Sequence, residues 1–326
     1  MKRIRWGIIG CGDVTEVKSG PAFNKVPGSE LTAVMRRDAQ KAADYAQRHQ
    51  VPYWFSDADQ LIAHPEVDAI YVATPPSTHA MYAIKAIEAG KAVYIEKPMA
   101  RTYEECVRIN QLAAEKNVPV MVAYYRRLLP GFVKVKALLD AGAIGDLRMV
   151  RVELFKHPLE DGNNLPWRVL PEIAGGGHFF DLASHQFDFL DFIFGPVKKA
   201  VSVVANQAAL YPAEDVLSVA FAFENGVVGN GSWCFNAAAV NDKDVIEIIG
   251  SKGRIVFSTF DFVPVELITS EGTQKFEFPR PEHVQLEMIR HINAVLQGNE
   301  KAVSDGISGA RTSKVLDEIV KSYYSK

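Results

Sequence analysis

Along roughly the first 125 residues, short continuous apolar runs alternate with segments whose apolar residues recur every three or four positions. The runs at Ile4–Ile9, Leu31–Met35, Val67–Ala73, Ala92–Glu96 and Val118–Tyr124 have the length of strands. Their unbroken apolar character marks strands covered on both faces. Helical spacing fills the intervals. Asp38–Gln50 is rich in Ala, Lys and Gln. Ser77–Ala89 opens on the cap candidates Ser77 and Thr78 and stops at Gly90. Thr102–Asn117 begins with Thr102 followed by Glu105, the spacing of a capping box. This alternation predicts an α/β domain built on a doubly wound parallel sheet.

From about Gly145 the strand-like runs become longer and alternate apolar with polar residues, over Leu147–Leu154, Ala200–Asn206, Val216–Glu224, Val227–Phe235, Val245–Gly250 and Arg254–Thr259. Glu224-Asn225-Gly226 and Ser251-Lys252-Gly253 have the composition of hairpin turns between neighbouring runs. A large, mainly antiparallel sheet is expected, followed by helices near Pro281–Gln297 and Ile307–Ser325. The expected division is a dinucleotide-binding Rossmann domain at 1–125 and a substrate-binding and oligomerisation α+β domain at 126–326.

Composition narrows the partners. The 326 residues are 48% hydrophobic and 23% charged, with a net charge of −3. That balance gives no support to nucleic acid or an anionic membrane as the main partner. A small molecule is expected instead. No run approaches the ~18 apolar residues of a membrane span. The basic start followed by a short apolar stretch reads as a first strand rather than a targeting signal. The three cysteines, Cys11, Cys106 and Cys234, form no CxxC pair. Reduced thiols in the cytoplasm, with neither a disulfide framework nor a metal site, are therefore expected.

Chemistry concentrates where strands end. Ile4–Ile9 runs into Gly10-Cys11-Gly12-Asp13-Val14-Thr15. Here Gly10 permits a tight turn and Gly12 lets backbone approach a pyrophosphate, while Thr15 stands where the fingerprint has its third Gly or Ala. After the second strand come Arg36 and Arg37, with Asp38 opening the next helix. A guanidinium there suits a 2′-phosphate, so NADP(H) is expected over NAD(H). Thr74, Pro75 and Pro76, with His79 in a structural rather than catalytic capacity, line the same edge, as do Glu96 and Lys97. An ammonium at that edge can stabilise a developing alkoxide.

Further on, Gly175-Gly176-Gly177 leads into a helix in which Asp181 and His185 stand at i and i+4. They are a carboxylate and an imidazole suited to proton exchange with an alcohol. Alternatively, Asp181, Ser184, His185, Asp188 and Asp191 form the wet stripe of an amphipathic helix. The residues alone leave both readings open.

The order of these elements, Gly10-Cys11-Gly12, then Glu96-Lys97-Pro98, then the triple glycine with Asp181 and His185, resembles the Gfo/Idh/MocA oxidoreductases across nearly the whole chain. The resemblance implies a Rossmann domain followed by an open antiparallel sheet that mediates homodimers or homotetramers. It also implies hydride exchange between a nicotinamide and a hydroxyl or carbonyl of a sugar, cyclitol or related polyol. The family's lysine falls on Lys97 and its acid and base on Asp181 and His185. In the alcohol-oxidising direction His185 accepts the hydroxyl proton, Lys97 steadies the oxygen and Asp181 positions the imidazole, with no metal required. NADP(H) makes carbonyl reduction the expected direction in a cell. Trp167 and Arg168 resemble a pair that contacts the cofactor in one branch of the family. Tyr125 stands where many members have Asn, and with Arg127 and His283 it is a candidate for the substrate pocket. Two rivals share the fold: a dinucleotide-dependent glycosidase, and a cofactor-sensing regulator without catalysis. Retention of Lys97, Asp181 and His185 together argues against the second.

Overall fold

A computed structural model describes residues 3–159 and 162–325. The chain divides into two compact units, Met1–Tyr125 with Pro281–Ser313, and Arg126–Arg280 with Lys314–Lys326. The cut after Tyr125 coincides with the expected boundary, but a single cut is not the whole division. The chain returns to the first unit over Pro281–Ser313 because that segment pairs there. Met121 bridges Asp305, and Ser304 Oγ donates to the Val122 carbonyl at 2.8 Å.

The first unit carries a parallel sheet of β1 (Ile4–Ile9), β2 (Ser29–Met35), β3 (Tyr53–Phe55), β4 (Ala69–Val72), β5 (Ala92–Ile95) and β6 (Val120–Val122), in the order β3-β2-β1-β4-β5-β6. Between the strands run α1 (Asp13–Val17), α2 (Gly20–Lys25), α3 (Ala39–His49), α4 (Ala58–Ala63), α5 (His79–Glu88) and α6 (Tyr103–Lys116). The order reverses beside β1, which places a crevice at the carboxyl ends of β1 and β4. Asp38 caps α3 by accepting the Lys41 N–H at 3.1 Å. Gln50 and Asn117 end α3 and α6 in the left-handed region. Half of the expected capping box forms as read: Thr102 accepts the Glu105 N–H, whereas the Glu105 carboxylate reaches back to the Arg101 N–H at 3.1 Å. The cap expected on α5 does not form. The Thr78 hydroxyl lies 2.8 Å from Thr74 Oγ1 and 3.1 Å from the Pro75 carbonyl, and so braces the preceding loop.

The second unit is built on a sheet ordered β14-β13-β12-β11-β7-β10-β9-β8. Its strands are β7 (Leu147–Phe155), β8 (Val197–Ala205), β9 (Val216–Phe223), β10 (Val228–Cys234), β11 (Lys243–Gly250), β12 (Gly253–Phe257), β13 (Val265–Thr269) and β14 (Gly272–Phe276). All neighbours are antiparallel except β7 and β10. A parallel neighbour needs a long connection, which here includes α8 (Pro171–Ala174) and α9 (His178–Phe194). The helix α7 (Pro130–Asp140) precedes β7, and α10 (Leu286–Leu296) and α11 (Gly306–Tyr324) close the chain. Both expected hairpin turns are present, between β9 and β10 and between β11 and β12. Strands β3, β13 and β14 were not legible in the pattern. The first has three residues, and the last, Gly-Thr-Gln-Lys-Phe, is an edge strand whose single apolar residue gives no alternation. No helix among the described residues is long and apolar enough to cross a membrane.

Candidate active site

The loop after β1 carries the first group of expected residues. Gly10 has φ +95°, and a Cβ there would lie 2.7 Å from Thr74 Cγ2, so both conformation and space demand glycine. Gly12 differs. A Cβ at Gly12 would meet only the Gly10 carbonyl oxygen, at 4.0 Å. Nothing among the described residues requires glycine there, which is the property of a position left open for a ligand's approach. Thr15, in the place of the third glycine, is fully buried and its hydroxyl donates to the Gly12 carbonyl at 2.8 Å. The departure from the fingerprint thus becomes a brace for the loop. Asp13 and Val14 open α1, where the first N–H groups have no intrahelical partner. Burial pushes the Cys11 thiol up to about 11, so it serves as packing and not as a nucleophile.

Arg36 lies at this loop and donates from Nη1 to the Cys11 carbonyl at 3.2 Å, while Arg37 is exposed. Asp38, the acid nearest the ribose position in sequence, is engaged as the α3 cap. The Lys41 N–H it accepts holds its carboxyl below the usual carboxylate range.

His79 is fully buried, with Nε2 2.7 Å from the Thr74 carbonyl and Nδ1 3.0 Å from the Pro98 carbonyl. Two facing carbonyls favour a doubly protonated ring, but burial lowers the pKa. The ring lies between the two carbonyls and joins the Thr74-Pro75-Pro76 loop to the turn after Lys97. Glu96 does not face outward as a cofactor contact. It is buried, and its carboxylate accepts Tyr71 Oη–H, Gln285 Nε2–H at 2.6 Å and the Lys97 backbone N–H at 3.1 Å. Tyr94 donates in turn to Gln285 Oε1 at 2.8 Å. Burial, reinforced by the Glu96 charge, holds the Tyr71 and Tyr94 hydroxyls well above their ordinary pKa, so they remain donors. Glu96 therefore positions the backbone at Lys97. Its partner Gln285 is almost two hundred residues away, and no local signal pointed to it.

His283 is also a correction. Its Nδ1 donates to the Val17 carbonyl at 2.6 Å, which leaves Nε2 to accept from the Lys25 ammonium at 2.6 Å. Both nitrogens are occupied within the first unit, and a substrate contact has no nitrogen to use. Tyr125, the other candidate in this unit, is buried at 7% exposure.

In the second unit, α9 starts at the triple glycine. Gly177 is its N-cap, and the Gly177 N–H donates to Glu214 Oε1 at 3.0 Å. The polar stripe is not a wet face. Ser184, His185, Asp188 and Asp191 are all buried, and Asp181 is half-buried. Asp188 takes the Arg127 guanidinium through both oxygens, at 2.9 and 2.6 Å. Arg127 is thereby a strut between its turn and α9, not the substrate contact expected of it. The Asp181 carboxylate lies 3.5 Å from Arg168 Nε, and the Arg168 guanidinium sits 4.4 Å from the Trp167 ring centre. The Arg168 side chain thus reaches the expected acid, where a cofactor contact had been read. The His185 ring stands 6.0 Å from the Phe260 ring at an interplanar angle of 72°. Among the described residues, no group of three or more His, Cys, Asp or Glu side chains is arranged to hold a metal ion.

Residues 4–124 match the family described as oxidoreductases with an NAD-binding Rossmann fold, and residues 132–256 match the GFO/IDH/MocA C-terminal domain. The chain is 43% identical over 293 residues to Oxidoreductase P35 of Formosa agariphila, covering 88% of this chain and 89% of that protein. It is 30% identical over 284 residues to the trans-1,2-dihydrobenzene-1,2-diol dehydrogenase of Mus musculus, covering 85% and 80%. A solved levoglucosan dehydrogenase in complex with NADH shares the fold at a TM-score of 0.90 and 24% identity, over 99% of this chain and 98% of that one. This protein belongs to the Gfo/Idh/MocA family of NAD-binding oxidoreductases.

Proposed function

We propose that this enzyme moves hydride between a nicotinamide dinucleotide, NADP(H) in preference to NAD(H), and a CH–OH or carbonyl carbon of a sugar, cyclitol or related polyol. The observation that carries the reading is the buried placement of His185 on α9, one turn beyond an Asp181 that is itself tied to Arg168. The relatives' names, dehydrogenases of levoglucosan and of trans-1,2-dihydrobenzene-1,2-diol, support a small hydroxylated substrate.

The first unit fits the dinucleotide: Gly10 turns the chain, the space above Gly12 is open, and a guanidinium stands at the loop. Gly10 to Val14 would hold the pyrophosphate, Arg36 with Arg37 the 2′-phosphate, and the Thr74-Pro75-Pro76 loop braced by His79 the nicotinamide side. When bound, the nicotinamide supplies the hydride acceptor or donor. In oxidation, an imidazole nitrogen of His185 takes the hydroxyl proton as the C–H bond gives up its electron pair. The Lys97 ammonium, its backbone held by Glu96, donates to the same oxygen and stabilises its developing charge. Asp181, with Arg168 beside it, orients the imidazole. Reduction runs these proton movements in reverse.

The sheet of the second unit exposes Val201 and Val203 on β8 and Val228 on β10, at 60%, 75% and 49%. These exposed apolar side chains support a homodimer or homotetramer through that sheet, which light scattering would report.

The test is a panel of levoglucosan, D-glucose, D-xylose, myo-inositol, D-sorbitol and xylitol with NADP+ and NAD+, followed by absorbance of the reduced cofactor. Turnover is expected to fall by at least ~100-fold in His185→Ala and Lys97→Met. Arg36→Asp is expected to reverse the cofactor preference. Near-wild-type turnover in both active-site variants would refute the assignment, and an unchanged cofactor ratio in Arg36→Asp would refute the preference.

A further inference from the structure

The loop after β12 is held unusually firmly for a connection. Thr259 N–H and Phe260 N–H both donate to the buried carboxylate of Asp244, at 3.0 and 2.5 Å. The Thr259 carbonyl accepts from the Arg126 guanidinium. Its hydroxyl accepts from Gln186 Nε2 at 3.1 Å, and Gln186 Oε1 in turn accepts from Trp233 Nε1 at 2.7 Å. Gln186 is the residue after His185, so the helix that carries the base also anchors this loop. One side chain leaves the clamp part-exposed: Phe260. Its ring stands 6.0 Å from the His185 ring, and the Arg126 guanidinium lies 4.5 Å from its centre. Backbone bonds fix Phe260 relative to His185, and Arg126 covers one face of its ring, so the rest of the part-exposed ring is a preorganised surface beside the base.

We propose that Phe260 is a specificity-determining wall: the apolar C–H face of a six-membered ring lies against it, so the enzyme selects ring sugars or cyclitols over open-chain polyols. The inference rests on the proposed hydride-transfer reading and names the substrate class for it. A carbohydrate ring offers a rigid face of C–H bonds to an aromatic plane, whereas an open chain must first lose rotational freedom to present a comparable surface. A binding site of this kind combines an aromatic wall with few polar groups, which here are the imidazole and the carboxylate of α9.

The experiment is isothermal titration of the cofactor-loaded protein with D-glucose, D-xylose and myo-inositol against D-sorbitol and xylitol, together with the kcat and KM of each. Wild type is expected to prefer the best ring by about tenfold over the best open chain. Phe260→Ala and the bulk-retaining Phe260→Leu are expected to bring that ratio close to one, largely through Kd and KM. Phe260→Tyr is expected to restore it. The clamp is made by backbone and by other side chains, so Phe260→Tyr should melt with wild type. Phe260→Ala and Phe260→Leu also lose the ring's contact with the buried Arg126 and are judged by their binding ratio at a temperature below their melting point. A wild-type ratio near one, or a ratio kept by Phe260→Leu, overturns the proposal. Retained turnover in Lys97→Met would count against the hydride-transfer assignment alone, because the binding ratio does not depend on it.

Discussion

Cutting the tie between Arg127 and Asp188 is expected to unfold much of the second unit's margin of stability while leaving substrate affinity nearly unchanged. The two side chains are 3% and 1% exposed and meet through two hydrogen bonds, with the Phe192 ring 5.0 Å from the guanidinium. Removing one partner strips the other buried charge of this two-bond pairing, at a cost of about 3–5 kcal/mol. For a unit of this size each kcal/mol shifts the melting temperature by roughly 2–4 °C, so Arg127→Met or Asp188→Asn should melt about 6–20 °C lower. Replacing both, as Arg127→Met with Asp188→Leu, removes the desolvation penalty along with the attraction and should recover most of the loss. Differential scanning calorimetry of the four proteins gives the cycle directly, with KM measured beside it. Single variants within about 1 kcal/mol of wild type would refute the strut. So would a large rise in KM without a fall in melting temperature, which would return Arg127 to the substrate.

Four further outcomes follow from the geometry. Gly10→Ala should destabilise the first unit by about 1–2 kcal/mol through its positive φ and the contact with Thr74. Gly12→Ala should melt like wild type yet bind cofactor at least tenfold more weakly, and calorimetry paired with cofactor titration would separate the two. Glu214→Ala leaves the buried Gly177 N–H and the Tyr324 hydroxyl without their acceptor. It should cost about 1–3 kcal/mol, with Glu214→Gln much milder, as read by melting temperature. Glu16 is held at about 2 by the Arg48 guanidinium at 2.8 Å, against an ordinary 4.5. A depressed carboxyl contributes stability that is complete above the unfolded value and is lost as pH falls from 4.5 towards about 2. Glu16→Gln should therefore melt lower than wild type at neutral pH, flatten the dependence of melting temperature on pH across that interval, and converge with wild type near pH 2.

Much of the architecture was legible because periodicity reports burial locally. The continuous apolar runs of β1, β4 and β5 and the alternation of β9 and β10 each state which faces are covered, and the turns Glu224-Asn225-Gly226 and Ser251-Lys252-Gly253 fix which runs are neighbours. Elements whose residues bury little gave no such signal, as with β14. For the candidate site, the sequence marked Gly10, Gly12, Arg36, Lys97, Asp181 and His185 because strand ends and helical spacing are local properties.

The roles of the surrounding polar residues were not legible. A hydrogen bond depends on distances between groups far apart in the chain, and one-dimensional spacing carries none of that information. The sequence by itself determined a doubly wound domain, a mainly antiparallel partner and a helix presenting carboxylate and imidazole one turn apart. Only tertiary structure decided that Glu96 turns inward to Gln285 and Tyr71, that Arg127 is consumed by Asp188, that His283 is locked to Val17 and Lys25, and that Phe260 stands beside His185. In each case a buried polar or aromatic group had to find its partner in space, and the partner lay in another part of the chain.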